Sequence, residues 1–267
     1  MEISISMTTL IAAGDSFTWG NDLSDCNQTT ASKLSWAAIT AQQLGYDYKC
    51  VAVPGGSNQA IERNVVSQVE KTPNCFVVVM WTYPHRLEVN LKKQVVDKVL
   101  ILQNYHTVSQ WHGTDFEEKM KTMGIGDGGE KEFFRKQHQD LLLNGIVEIS
   151  QVLTKYMSDD YYYLNSLRSQ VMLKYYLESK KIPYLFLAAT DNVILDRIKS
   201  DDQYVNTLKQ ISMSANWINK PTRGFVQWAT INDYKTGKTN HPMEAACKDY
   251  AEKFVIPAIK PIMNDGS

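Results

Sequence analysis

Cys75 to Trp81 reads CFVVVMW, an unbroken apolar run of the kind carried by a strand buried on both faces. Thr8 to Ala13 has the same character, and Tyr46 to Val53 and Pro183 to Ala188 read as two further strands. Between these runs the period changes. From Ser32 to Leu44, the apolar positions Leu34, Trp36, Ala37, Ile39, Ala41 and Leu44 fit a largely buried helix that opens at a capping serine and stops before Gly45. Gln59 to Val69 is amphipathic, with Ile61, Val65, Val66 and Val69 on its inner face. Tyr161 to Lys181 predicts a strong helix, Gly224 to Ala229 is a candidate fifth strand, and a helix from Pro242 to about Phe254 closes the chain.

Three strands separated by two helices in the first third of the chain imply βαβ units, which cross over right-handed onto a parallel sheet. The expected fold is therefore a three-layer α/β/α, flavodoxin-like domain with strand order 2-1-3-4-5. The 267 residues fit a single domain, 1–267. From about 88 to 160 the pattern is irregular, with Trp111-His112-Gly113 and a glycine-rich stretch from Gly124 to Gly129. That segment reads as a mainly helical insertion over the sheet edge. No Pro/Ser-rich linker marks it as a separate domain.

Composition narrows the possible partners. Hydrophobic residues make up 43% and charged residues 21%, so the chain can bury a sizeable core. Lys plus Arg number 28 against 29 Asp plus Glu, a balance that argues against nucleic acid and anionic membrane as partners. Cys26, Cys50, Cys75 and Cys247 form no CxxC pair and no metal-ligand spacing, and are expected as buried free thiols; neither metal nor cofactor is expected. The N-terminal MEISISMTTLIAAG has no basic segment, and no apolar run is long enough for a membrane span. The expected setting is cytoplasmic, or a host cell or virion if the chain is viral.

The candidate chemistry lies at two strand-to-loop junctions. Gly14-Asp15-Ser16 follows the first strand directly, which delivers the Ser16 hydroxyl to the C-terminal edge of the sheet, where open α/β sheets place their sites. Near the other end, Asn240-His241-Pro242 precedes the last helix, and an imidazole there can take the proton of a serine hydroxyl and return it to a leaving group.

In order and separation these motifs resemble the SGNH/GDSL hydrolase superfamily, whose first motif is Gly-Asp-Ser after strand one and whose last is a His near the C-terminus, commonly followed by Pro. The resemblance implies ester hydrolysis with Ser16 as nucleophile and His241 as general base. It also implies an oxyanion hole built from the backbone N–H groups of Ser16 and of Gly56, in Pro54-Gly55-Gly56-Ser57-Asn58. Two departures stand out. The family's Gly-x-Asn-Asp motif is replaced by Met80-Trp81-Thr82-Tyr83-Pro84-His85-Arg86, so Thr82, Tyr83 or Arg86 would have to donate in place of asparagine. Lys238 occupies the usual place of the triad acid, which leaves Asp233 as the nearest upstream carboxylate, against a backbone carbonyl or a carboxylate from elsewhere. Asn58 and Arg86 are candidate substrate contacts. The implied partner is a small-molecule or carbohydrate ester, such as an acetylated sugar. The competing reading is a binding module that keeps the cleft and has lost catalysis.

Overall fold

The computed structural model describes residues 8–27, 29–90, 95–96, 99–100, 105–109 and 146–264. The first strands are β1 (Thr9–Ala13), β2 (Asp47–Cys50) and β3 (Cys75–Trp81), with α1 (Ser16–Trp19), α2 (Trp36–Leu44) and α3 (Asn58–Val69) between them. Every residue of β3 is buried, as an unbroken apolar run requires when helices cover both faces. Helix α2 begins at Ser35, whose hydroxyl accepts from the Ala38 N–H, rather than at Ser32, and it ends at the left-handed Gly45. Helix α3 is capped in the same way by Ser57, which accepts from the Ala60 N–H.

Beyond β3 come β4 (Arg86–Asn90), β5 (Val95–Val96), β6 (Val99–Leu100) and β7 (Tyr105–Ser109), then α4 (Ile146–Tyr156), α5 (Asp159–Ser179) and β8 (Tyr184–Ala188). The central sheet is parallel throughout and ordered β2-β1-β3-β8. On one face Leu10, Ala12, Phe76, Val78, Met80, Leu185 and Leu187 pack on Trp36, Ala37 and Ala41 of α2. On the other, Ile11, Val77, Val79, Trp81 and Phe186 pack on Ile61, Val65 and Val69 of α3 and Leu173 and Leu177 of α5. This alternation along each strand produces the three expected layers.

One expectation is corrected. The expected fifth strand, Gly224 to Ala229, is helical, and the rest of the chain runs α6 (Gln203–Met213), α7 (Phe225–Ile231), α8 (Glu244–Tyr250), a π-helical turn (Ala251–Val255) and α9 (Ile256–Asn264). Phe225, Trp228 and Ala229 are buried at spacings of three and four residues, the period of a helix face. The place beside β8 is held by a single bridge, in which the Phe186 N–H donates to Asn216 O (2.8 Å) and the Ile218 N–H to Phe186 O (2.9 Å). Among the described residues, the segment expected as a mainly helical insertion holds antiparallel strands, β4 against β7 and β5 against β6. Its described remainder includes α4, whereas Trp111-His112-Gly113 and the 124–129 glycines lie outside the described residues. Among the described residues all four cysteines are free, Cys75 and Cys247 buried and Cys26 and Cys50 half-buried. No described helix is long and apolar enough to cross a membrane.

Candidate active site

β1 ends at Gly14, where an added Cβ would sit 2.2 Å from the Thr18 hydroxyl and 3.1 Å from Met80 O, so the chain can turn there only without a side chain. Immediately after it, Asp15 caps α1 by accepting from the Phe17 N–H at 3.1 Å. Ser16 is thereby fixed at the first position of a one-turn helix, 7% exposed. Its N–H has no hydrogen-bond partner among the described residues.

Asp15 is fully buried, and its second oxygen accepts from the Thr82 hydroxyl (2.5 Å) and from Arg86 Nη1 (2.6 Å). An unpaired carboxylate at that depth would be costly, and Arg86 supplies the countercharge. Thr82 is held from a second side by Asn58, whose carboxamide oxygen accepts from the Thr82 N–H (2.9 Å) while its Nδ2 donates to Thr82 O (3.0 Å) and to the Ser166 hydroxyl (2.7 Å).

These contacts reassign three expected site residues. Both donors of Thr82 are committed to Asp15 and Asn58, so neither is free for an oxyanion. Asn58 is 1% exposed and ties α3 to the end of β3 and to α5, which removes it as a substrate contact. The Gly56 N–H donates to Val53 O at 2.8 Å, closing the Val53–Gly56 turn, so it too is unavailable to an oxyanion. Arg86 stays at the rim with its side chain 20% exposed, bonded to Asp15 and to the Thr82 hydroxyl (2.8 Å) and lying 4.9 Å from the centre of the Tyr83 ring.

His241 reaches the site on a turn that closes on itself. The Gly237 N–H donates to His241 O (2.8 Å), the Asn240 N–H to Gly237 O (3.1 Å), and Thr236 bridges to Pro242. Phe17 packs against the imidazole with ring centroids 4.8 Å apart. His241 Nε2 lies 2.7 Å from Ser16 Oγ, so residues 225 apart in the chain are in hydrogen-bond contact.

Behind the ring stands Asp22, a residue the sequence reading did not select. Its Oδ2 is 3.3 Å from His241 Nδ1, and it accepts from the Thr239 N–H and from the Thr239 hydroxyl, each at 2.8 Å. Partial burial pushes the Asp22 carboxyl up, but the hydrogen bonds from His241 and Thr239 outweigh it and hold the group at about 2. Asp233, the expected acid, is solvent-exposed in the turn after α7 and is not at the imidazole. The seven-residue reversal brings a hydroxyl and the imidazole inward instead.

Ser16, His241 and Asp22 stand in one line.

Two further contacts fix that line. The Ser24 N–H donates to Glu244 Oε1 (2.8 Å), which ties the Asp22 loop to the start of α8. An added Cβ on Gly237 would sit 2.4 Å from the Asp22 Cβ and 2.7 Å from its Oδ2. Gly237→Ala is therefore expected to force the two turns apart and destabilise the fold by about 1–3 kcal/mol. Chemical denaturation of the variant against the parent measures this, and an unchanged midpoint would contradict it.

No family model matches the chain, and no curated protein matches it. Among solved structures it is similar to the psychrotrophic esterase EstA from Pseudoalteromonas sp., at 9% identity over 96% of this chain and 99% of that one, with a TM-score of 0.47. It is also similar to Axe2, an acetylxylan esterase from Geobacillus stearothermophilus, at 12% identity over 98% and 96% of the two chains, with a TM-score of 0.44. A GDSL-like lipase from Bacteroides thetaiotaomicron VPI-5482 is similar at 11% identity over 95% and 88%, with a TM-score of 0.43.

Proposed function

We propose that this chain is a serine hydrolase of the SGNH/GDSL type that cleaves a small acyl ester. The observation that carries the proposal is the 2.7 Å contact of Ser16 Oγ with His241 Nε2, backed by Asp22 behind the opposite ring nitrogen. In this reading Ser16 Oγ attacks the acyl carbon while Nε2 takes its proton. The imidazolium forms beside the Asp22 carboxylate, which stabilises it. The tetrahedral oxyanion accepts from the Ser16 N–H, the free donor at the start of α1, and the Arg86 guanidinium brings a positive charge to the same rim. Collapse expels the alcohol with the proton from Nε2 and leaves an acyl-enzyme on Ser16. Water then attacks that ester, with His241 as base and afterwards as acid, and releases the carboxylic acid.

The low exposure of Ser16 favours a short acyl group such as acetyl, and an acetylated sugar is the proposed substrate class. The altered positions 82 and 238, which lack the family's asparagine and acid, favour the alternative of a non-catalytic binding module. Asp22 supplies a carboxylate at that nitrogen and supports the catalytic reading.

A fluorophosphonate probe tests the proposal directly. Ser16 Oγ should displace fluoride from phosphorus and appear as a single adduct on the peptide carrying residue 16, with labelling lost in His241→Ala. An intact, folded chain that takes up no probe after hours would refute it.

A further inference from the structure

Resting on the serine-hydrolase reading, we propose that Thr239 is a positioning residue through whose hydroxyl Asp22 acts on His241. The Nδ1 atom of His241 lies 2.8 Å from Thr239 Oγ1 and 3.3 Å from Asp22 Oδ2, so the hydroxyl is the nearer partner, at ordinary hydrogen-bond length, and the carboxylate is the longer, weaker one.

The directions of these bonds follow from proton count. Asp22, held at about 2, is an ionised carboxylate at any working pH and only accepts. The single hydroxyl proton of Thr239 therefore goes to Asp22 Oδ2, which leaves an oxygen lone pair facing Nδ1. Nδ1 must then carry the ring proton and donate it to Thr239, so Nε2 is the unprotonated nitrogen facing Ser16. The opposite arrangement, with the hydroxyl donating to Nδ1, would put the ring proton on Nε2 and disable the base. The Thr239 N–H grips the same Asp22 oxygen at 2.8 Å, so carboxylate, hydroxyl and imidazole form one fixed chain. Thr239 thus fixes the tautomer from a place two residues before the histidine.

Four variants and one spectroscopic signal test this. Thr239→Val keeps the shape and the backbone contact but loses the hydroxyl. It is expected to lower kcat for p-nitrophenyl acetate about 10- to 100-fold, with KM within about twofold. Thr239→Ser, which keeps the hydroxyl, should stay within about threefold of the parent. Asp22→Asn should cost at least about tenfold less in the Thr239→Val background than alone, because the hydroxyl that transmits its effect is already gone. Undiminished kcat in Thr239→Val, equal loss in Thr239→Ser, or fully multiplicative costs would each overturn the proposal.

Independently of turnover, the His241 Nδ1 proton should give a hydrogen-bonded, downfield resonance in ¹⁵N-histidine spectra of the parent and Thr239→Ser, displaced or lost in Thr239→Val. The same resonance undisturbed in Thr239→Val would overturn it as well. A parent that neither turns over esters nor takes up the fluorophosphonate would defeat the hydrolase reading, and the Nδ1 resonance would still decide the role of Thr239.

Discussion

Ser16→Ala is expected to bring turnover of p-nitrophenyl acetate down about 10⁴- to 10⁶-fold. In the proposed mechanism the hydroxyl forms the covalent bond, so neither KM nor added substrate can compensate. Folding should be nearly indifferent to the change. The lost atom makes one side-chain contact, to His241, and a methyl fits the same small space, so thermal melting should move by no more than about 1 kcal/mol implies. Steady-state kinetics with melting of the same samples separates the two effects. Residual turnover near that of the parent would remove Ser16 from the chemistry.

The second large effect is expected at Asp22. Asp22→Asn keeps the size but removes the charge beside the imidazole, and kcat should fall about two to four orders of magnitude. Asp233→Asn, at the exposed position in the turn after α7, should leave kcat unchanged. The pH dependence adds a sign, because hydrogen bonds from His241 and Thr239 hold the Asp22 carboxyl at about 2. Its depressed value stabilises the fold above the ordinary carboxylate range, and this contribution disappears only as pH falls through about 2. If Asp233→Asn lost activity and Asp22→Asn kept it, the order of the site would be wrong.

What the sequence made legible was what short stretches of chain determine by themselves. CFVVVMW can satisfy its apolar side chains only as a doubly covered strand, and β3 has the bounds read from it, Cys75 to Trp81. Ser16 and His241 were found because each sits at the end of an element beside a turn residue, Gly14 and Pro242. The acid was not legible, because Asp22 and His241 are 219 residues apart and meet only through the approach of two loops. The nearest trace in the sequence is Gly237, whose missing side chain leaves room for Asp22. Gly56 and Thr82 fell where the family pattern puts oxyanion donors, but whether a donor is free depends on its neighbours, and Val53, Asn58 and Asp15 had already claimed theirs. Gly224 to Ala229 reads as a strand in the sequence and folds as a helix because a run that short fits both periods until its partners are known.

The two halves of the candidate chemistry lie far apart along the chain. The proposed nucleophile and acid are both on the segment that leaves β1, whereas the proposed base arrives on a turn that follows every strand of the central sheet. A nascent chain could therefore complete its sheet on the ribosome, with Ser16 already at the end of β1, and still be inert. Reactivity would begin only when residues 236–242 emerge and dock, so the onset of labelling at Ser16 during synthesis would time that docking rather than the completion of the sheet.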